Sequence, residues 1–286
     1  MSQANISIIF NPTAKGERAK KSADKIRRRF PGAEFHQTGA VGHARELARA
    51  AADRGCGKVV AVGGDGTVNE VVNGIAGTGA ALGILPLGTA NVFALELGLP
   101  ADLEAAADVI VSGRVREVDL ARANEHYFIQ LAGVGFDAEA VQATDFGVKK
   151  KIGVLSYFLS VLQVAVRTPP TLTVTTPEGR VEEGSFVLIG NGRYYGGPFT
   201  IFPGAKLDDG LLEVCLFKRR SHMDLLHYFQ GILCGTHTKF EDIEYFQARA
   251  LTVTADREVP MEVDGELAGV APVRFNVSGE KLRVIC

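Results

Sequence analysis

Val59-Val60-Ala61-Val62-Gly63-Gly64-Asp65-Gly66-Thr67-Val68-Asn69-Glu70 is the stretch that decides the fold. Three valines and an alanine read as a buried strand, Gly-Gly-Asp-Gly as a turn, and Thr67–Ile75 as the helix that follows. Glycines let the backbone turn with positive φ and approach a ligand with no Cβ in the way. Successive N–H groups at a helix N-terminus form a concave site suited to phosphate oxygens. Asp65 does not serve a phosphate by its own charge. It suits a neighbouring Mg²⁺, a hydroxyl to be deprotonated, or, more plainly, a helix cap. A second turn repeats the pattern: Ile84-Leu85-Pro86-Leu87-Gly88-Thr89-Ala90-Asn91 ends a strand and opens a helix. In a parallel sheet both turns lie at the carboxyl ends of strands, where ligands bind.

Outward from these turns, the first ~115 residues alternate strands with helices, which indicates βα units and a mostly parallel sheet. Strands are expected at Ile6–Phe10, Ala33–His36, Lys58–Val62 and Ala81–Leu85, and helices at Lys15–Arg29, Ala44–Arg54, Thr67–Ile75 and Ala90–Leu97. After Gly113 short β-rich runs dominate: Val115–Leu120, Tyr127–Leu131, Thr171–Thr176, Ser185–Gly190, Leu211–Phe217, Ala250–Thr254, Val259–Val263, Val273–Val277 and Lys281–Ile285. Turn signals at Pro177–Gly179, Asp208–Gly210 and Asp264–Gly265 separate several of them, the pattern of an antiparallel sandwich or barrel. The expected plan is an α/β domain over residues 1–117 and a β-rich domain over 118–286, with the last strand free to return to the first domain.

Composition narrows the partners. The 286 residues are 46% hydrophobic and 22% charged, a globular balance, and the net charge of -2 excludes a chain that wraps nucleic acid by bulk charge. Cys56, Cys215, Cys234 and Cys286 lie too far apart in sequence for a CxxC metal motif, which favours a reducing, cytoplasmic setting. The first residues carry no signal-peptide pattern. The most apolar window, Ile152–Val166, is shorter than the ~20 residues of a spanning helix. Its Leu155, Phe158, Leu159, Leu162 and Val166 share one helical face, a core face or an interfacial one. Lys15–Arg29 carries eight basic and two acidic residues, either a solvated helix face or a patch for anionic lipid or phosphate.

Two motif matches are refused. Asp145-Phe146-Gly147 spells DFG with no HRD loop before it. Gly133–Ala138 fits GxGxxA but lacks the acid about 20 residues on, and no Walker loop occurs.

Phe10-Asn11-Pro12, GGDGTVN at Gly63–Asn69 and PLGTAN at Pro86–Asn91 resemble the catalytic domain of the diacylglycerol kinase family, with its sphingosine, ceramide and small bacterial lipid kinases. The likeness continues through GNGRYYGG at Gly190–Gly197, AKLDDGLL at Ala205–Leu212 and VDGE at Val263–Glu266, nearly the whole chain in the family's order. It implies ATP- and Mg²⁺-dependent phosphorylation of a lipid hydroxyl, of diacylglycerol type or related, to a phospholipid such as phosphatidic acid.

On that resemblance Gly63, Gly64, Asp65, Gly66, Thr67, Val68, Asn69, Glu70 and Thr89 line the ATP phosphates, and Thr38 approaches the nucleotide after the second strand. Asn11 matches the early Asn-Pro turn. Asp209 ligates a Mg²⁺ with the carbonyls of Lys206 and Leu211; where relatives can carry another acid near this loop, Lys206 stands here. Asp119 and Lys15 join a polar network. Glu266 matches the general base, with Asp65 the Mg²⁺–phosphate residue, though sphingosine kinases make the reverse assignment credible. The acceptor would meet ATP between the domains.

The implied enzyme docks peripherally on a membrane that holds its lipid, binds no nucleic acid, and has a β-rich domain able to form a homodimer. An NAD-kinase-like enzyme shares GGDGT and the two-domain plan, but PLGTAN, GNGRYYGG and VDGE point to lipid. A catalytically silent lipid- or nucleotide-binding regulator fits poorly with intact Asp65, Asp209 and Glu266.

Overall fold

The computed structural model describes residues 5–14, 17–143 and 168–286. Lys15, the DFG triplet at 145–147 and the apolar face at 152–166 lie outside the described residues. The chain divides into two units: Met1–Leu120 with Gly279–Cys286, and Ala121–Ser278.

Unit 1 runs β1 (Ile6–Phe10), α1 (Glu17–Arg29), β2 (Glu34–Gln37), α2 (His43–Asp53), β3 (Lys58–Gly63), α3 (Asp65–Ile75), β4 (Ala81–Pro86), α4 (Val92–Glu96), α5 (Leu103–Ser112) and the start of β5 (Val115–Ala123). Strands β2, β1, β3 and β4 lie side by side and parallel. Helices connecting parallel strands cover both faces of a sheet, so its strands are apolar throughout. The burial of every residue in β1 and β4 follows from that. The core joins Ile8, Phe10, Val60, Val62 and Leu85 of the strands to Ile26 of α1 and Ile110 of α5.

Unit 2 contains β6 (His126–Phe128), β7 (Leu131–Val134), α6 (Phe136–Ala143), β8 (Leu172–Thr175), β9 (Val181–Gly184), β10 (Phe186–Gly190), β11 (Tyr194–Tyr195), β12 (Phe199–Thr200), β13 (Leu212–Phe217), α7 (His222–Cys234), β14 (Ile243–Ala248), β15 (Ala250–Ala255), β16 (Pro260–Val263), β17 (Glu266–Val270) and the first part of β18 (Val273–Ile285). Two antiparallel sheets make the sandwich: β14-β13-β10-β7-β16-β17 and β18-β15-β8-β9. Side-chain alternation assigns the two faces of the first sheet. Val187, Ile189, Leu212, Val214 and Leu216 fill the space between the sheets, while Phe186, Leu188, Cys215 and Phe217 pack on the outer face with Tyr228 of α7.

Two expected boundaries are corrected. The runs 273–277 and 281–285 form one strand, β18, which pairs antiparallel with β15 at Val273–Asn276 and parallel with β4 at Arg283 and Val284. One extended segment thus serves both units, and the handover falls between Ser278 and Gly279. The run 127–131 is broken into β6 and β7, because the N–H groups of Ile129, Gln130 and Leu131 donate to the Asp264 carboxylate.

Gly74 fixes the approach of α3 to α2: a Cβ there would lie 2.5 Å from the Ala48 Cβ and 2.6 Å from the Arg45 carbonyl oxygen. Forced overpacking costs about 1–3 kcal/mol, and valine recovers only part of the ~1 kcal/mol helix penalty of glycine. Gly74→Val therefore lowers the denaturation midpoint in urea; an unchanged midpoint contradicts this packing.

Candidate active site

Unit 1 gathers its polar turns at one edge. Asn11, Thr38, Gly63 with Gly64, and Leu87 with Gly88 follow the carboxyl ends of β1, β2, β3 and β4, which are neighbours in the sheet. The two glycine turns touch. A Cβ on Gly88 would fall 2.5 Å from the Gly64 Cα, and one on Gly64 3.1 Å from the Gly88 Cα. A Cβ on Gly63 would meet the Thr67 Oγ1 at 2.4 Å, and that hydroxyl accepts a 2.9 Å bond from Asn11 Nδ2. Asn11 Oδ1 in turn accepts from the N–H and hydroxyl of Thr13. Asn91 closes the second turn, accepting from Gly88 N–H at 2.8 Å and donating to the Gly88 carbonyl at 2.9 Å.

Helix α3, with Gly64 as its N-cap, differs from α2, α4, α5 and α7. Glu70 accepts from the N–H groups of Gly42 and Ala44 at the start of α2. Asp65 accepts from Val92 N–H at the start of α4. Asp102 caps α5, and Ser221 caps α7. Gly64 at the N-cap of α3 has no side chain, so the N-cap residue itself supplies no oxygen to that helix. The first N–H groups of a helix have no partner within it, so α3 presents donors and the positive end of its dipole beside a Cβ-free cradle, chemistry that fits a phosphate.

The residues expected to line the phosphates therefore divide. Gly63, Gly64, Gly66 and Thr67 form the turn and first residues of α3, and exposed Thr89 stands in the second turn. Val68 is buried with its N–H bonded to Gly64 O, Asn69 accepts from Asn73, and the Glu70 carboxylate belongs to α2. Thr38, half-buried, is tied to the sheet through its N–H to Phe10 O. Asp65 has a use that the sequence does not show, as the brace between the turns. Burial pushes its carboxyl above the ordinary aspartate value, against the N–H bonds from the start of α4.

In unit 2, Asp209 Oδ1 accepts from Leu211 N–H at 3.0 Å, on a turn whose Ala205 and Leu207 are buried while Lys206 is exposed. One carboxylate beside backbone carbonyls is a hard-oxygen donor set, the type Mg²⁺ takes with several waters. Among the described residues no cluster of three or more His, Cys, Asp or Glu could hold a metal by side chains. Asp119, fully buried, accepts from Lys281 Nζ within unit 1.

Glu266 opens β17, exposed, after a two-residue turn in which Asp264 and Gly265 both have positive φ (48° and 88°). This is the type I′ geometry that Asp-Gly favours. Sequence reasoning missed the groups that hold this turn: the Asp264 carboxylate with its three N–H donors, and Glu262, whose Oε2 accepts from Gly265 N–H at 2.7 Å. A lone acid inside the apolar Val259–Val263 run was the available signal.

Residues 5–123 match the family model of the diacylglycerol kinase catalytic domain, and 130–286 that of the YegS C-terminal NAD kinase beta sandwich-like domain. The diacylglycerol kinase of Bacillus subtilis (strain 168) is 31% identical over 277 residues, covering 94% of this chain and 91% of the relative. That of Staphylococcus aureus (strain MRSA252) is 30% identical, over 94% and 88%.

The chain belongs to the diacylglycerol kinase family.

A crystal structure of a diacylglycerol kinase from Bacillus anthracis str. Sterne superposes with a TM-score of 0.78 at 28% identity, covering 98% of this chain and 96% of that one. This lipid kinase thus has the family's α/β domain and antiparallel sandwich.

The raised carboxyl of Asp65 sets a pH signature. A carboxyl raised by folding contributes its full stability below its unfolded pKa and loses it as pH rises through the folded value. Asp65→Asn removes that loss while keeping an acceptor for Val92. Relative to wild type, its melting temperature is therefore higher at pH 7 than at pH 4; a difference independent of pH contradicts the burial of a charge here.

Proposed function

We propose that this lipid kinase transfers the γ-phosphoryl group of ATP, with Mg²⁺, to the primary hydroxyl of a diacylglycerol-type lipid, giving a product of the phosphatidic acid class. The glycine-capped N-terminus of α3, set between two touching glycine turns, carries this reading. The names of the relatives supply the lipid class.

Phosphoryl transfer needs positioning and charge neutralisation more than covalent help. The N–H groups of Gly64, Gly66 and Thr67 and the Thr89 hydroxyl hold the phosphates, with Asn11 fixing Thr67. Glu266, exposed at the start of β17, takes the acceptor's proton as the new P–O bond forms and ADP leaves with the old one. Asp209, with the carbonyls of Lys206 and Leu211, would hold a Mg²⁺. Bound there it supplies positive charge and pins the turn.

The lipid also requires contact with a bilayer. No helix among the described residues is long and apolar enough to cross a membrane. In α1, Lys25 and Arg29 face Glu104 and Asp108, and Arg27 lies over Phe35, so part of its positive charge is matched within unit 1. Helix α7 offers more: Met223, Leu226, Phe229 and Leu233 are exposed at helical spacing. The helix has no Lys or Arg, its one acid is folded back as the cap, and the exposed flanking Arg219 and Lys239 are basic. An apolar face with a basic rim suits an anionic bilayer.

Labelled ATP offered with diacylglycerol, ceramide, sphingosine or NAD tests the reaction. Label in phosphatidic acid, abolished by chelating Mg²⁺, is expected; label on NAD supports the NAD-kinase-like reading, and none on any acceptor the silent regulator. Glu266→Gln should lower kcat by roughly 10²–10⁴ with ATP affinity little changed. Leu226→Asp with Phe229→Asp should cut sedimentation with anionic vesicles while leaving activity on lipid in detergent micelles; unaltered sedimentation removes α7 as the docking face.

A further inference from the structure

We propose that Glu262 is held neutral, sharing its proton with Asp137, and that this buried pair positions the turn that presents Glu266. The inference rests on the reading of Glu266 as the base.

Glu262 is 0% exposed and Asp137 5%, on β16 and α6 of the same unit. Gly133 of β7 makes room for both: a Cβ there would lie 2.9 Å from Asp137 Oδ2 and 3.1 Å from Glu262 Oε1. The same Gly-Val-Gly-Phe-Asp run that mimics a dinucleotide motif thus delivers a carboxylate beside a second one. Tyr195 hydroxyl lies 2.8 and 3.0 Å from the two Asp137 oxygens, which makes Asp137 an acceptor. Glu262 Oε2 accepts from Gly265 N–H, but its Oε1 is buried without a donor. Two ionised carboxylates buried against the same Gly133 repel, whereas one proton placed on Oε1 and donated to Asp137 satisfies both.

The surroundings agree. The titratable groups on the elements packed against β16 are Asp137 and Glu139 on α6, Asp264 in the turn, Glu266 on β17, and His126 and Tyr127 on β6. Glu139 is matched by Arg220 at 3.3 Å. Burial, then Asp137, then Asp264 push the Glu262 carboxyl well above its ordinary value, while the Gly265 N–H opposes them. With the shared proton in place, bonds run from Tyr195 through Asp137 and Glu262 to Gly265, one residue before Glu266. Asp264 anchors the other half of the turn to the segment between β6 and β7. Glu262 touches no reacting atom in this scheme; it is a positioning residue.

Glu262→Gln mimics the neutral form, with an amide that donates to Asp137 and an oxygen that accepts from Gly265. Glu262→Leu keeps the volume and removes both bonds. In the full-length enzyme, Glu262→Leu should lose tenfold or more in kcat with KM for ATP unchanged, and Glu262→Gln should restore most of that loss. Melting curves give a readout independent of activity. Because the wild-type carboxyl is raised, its stabilising contribution is whole below about pH 4.5 and falls as pH rises toward the folded value. The melting temperature of Glu262→Gln relative to wild type should therefore climb from pH 5 to pH 8. A folded Glu262→Gln as inactive as Glu262→Leu, or a melting difference flat with pH, overturns the proposal. If Glu266→Gln is fully active, the base assignment fails, and the melting curves still judge the pair; if Glu262→Leu does not fold, the Gln variant decides.

Discussion

The contact between Gly64 and Gly88 is the constraint on which unit 1 depends. Two backbone turns can touch this closely only where neither carries a Cβ, and that absence leaves the start of α3 without a side chain at its N-cap. The neighbouring elements are arranged around this opening. Asn11 pins Thr67 from β1, Asn91 closes the second turn, and Asp65 holds the start of α4. Each bond fixes a loop that would otherwise have to be ordered when a ligand arrives, and preorganisation of this type is what phosphoryl transfer draws on.

Unit 2 solves a different problem with the same economy of backbone. Its DG turn is tight enough to need two residues of positive φ, and it carries the candidate base on the first residue of the next strand. Such a turn is anchored from below by carboxylates that accept its N–H groups and those of the adjoining segment. Burying acids in this way is favourable only when each has donors or loses its charge. Asp264 has the donors. Glu262, beside Asp137, loses the charge.

Much of this was legible in the sequence because it is local. The βα alternation of unit 1, both glycine turns, and the placement of Asn11, Gly63 and Thr89 follow from strand-turn-helix patterns only a few residues long. The apolar run within Ser185–Gly190 likewise announced a strand; that both of its faces are buried shows only in the fold. What escaped is long-range. Nothing near Ile129 says that its N–H will go to a carboxylate 135 residues away, so the break between β6 and β7 was invisible. The runs 273–277 and 281–285 read as separate strands, because only the pairing with both β15 and β4 keeps β18 extended through Ser278-Gly279. Glu70 and Asp65 looked like ligand-facing acids; their bonds to α2 and α4 arise from helix ends that only the fold brings near. Asp137 lay inside a motif set aside for good reason, and its neighbour Glu262 is remote in sequence.

The central claim is that the Cβ-free contact between the two turns holds a nucleotide's phosphates. Calorimetric titration of ATP with Mg²⁺ into Gly88→Ala tests it most directly, since the added methyl stands against the Gly64 backbone while the hydrophobic core is untouched. The account predicts a folded protein whose ATP affinity falls at least tenfold, about 1.4 kcal/mol of binding free energy. Wild-type affinity in that variant would contradict it.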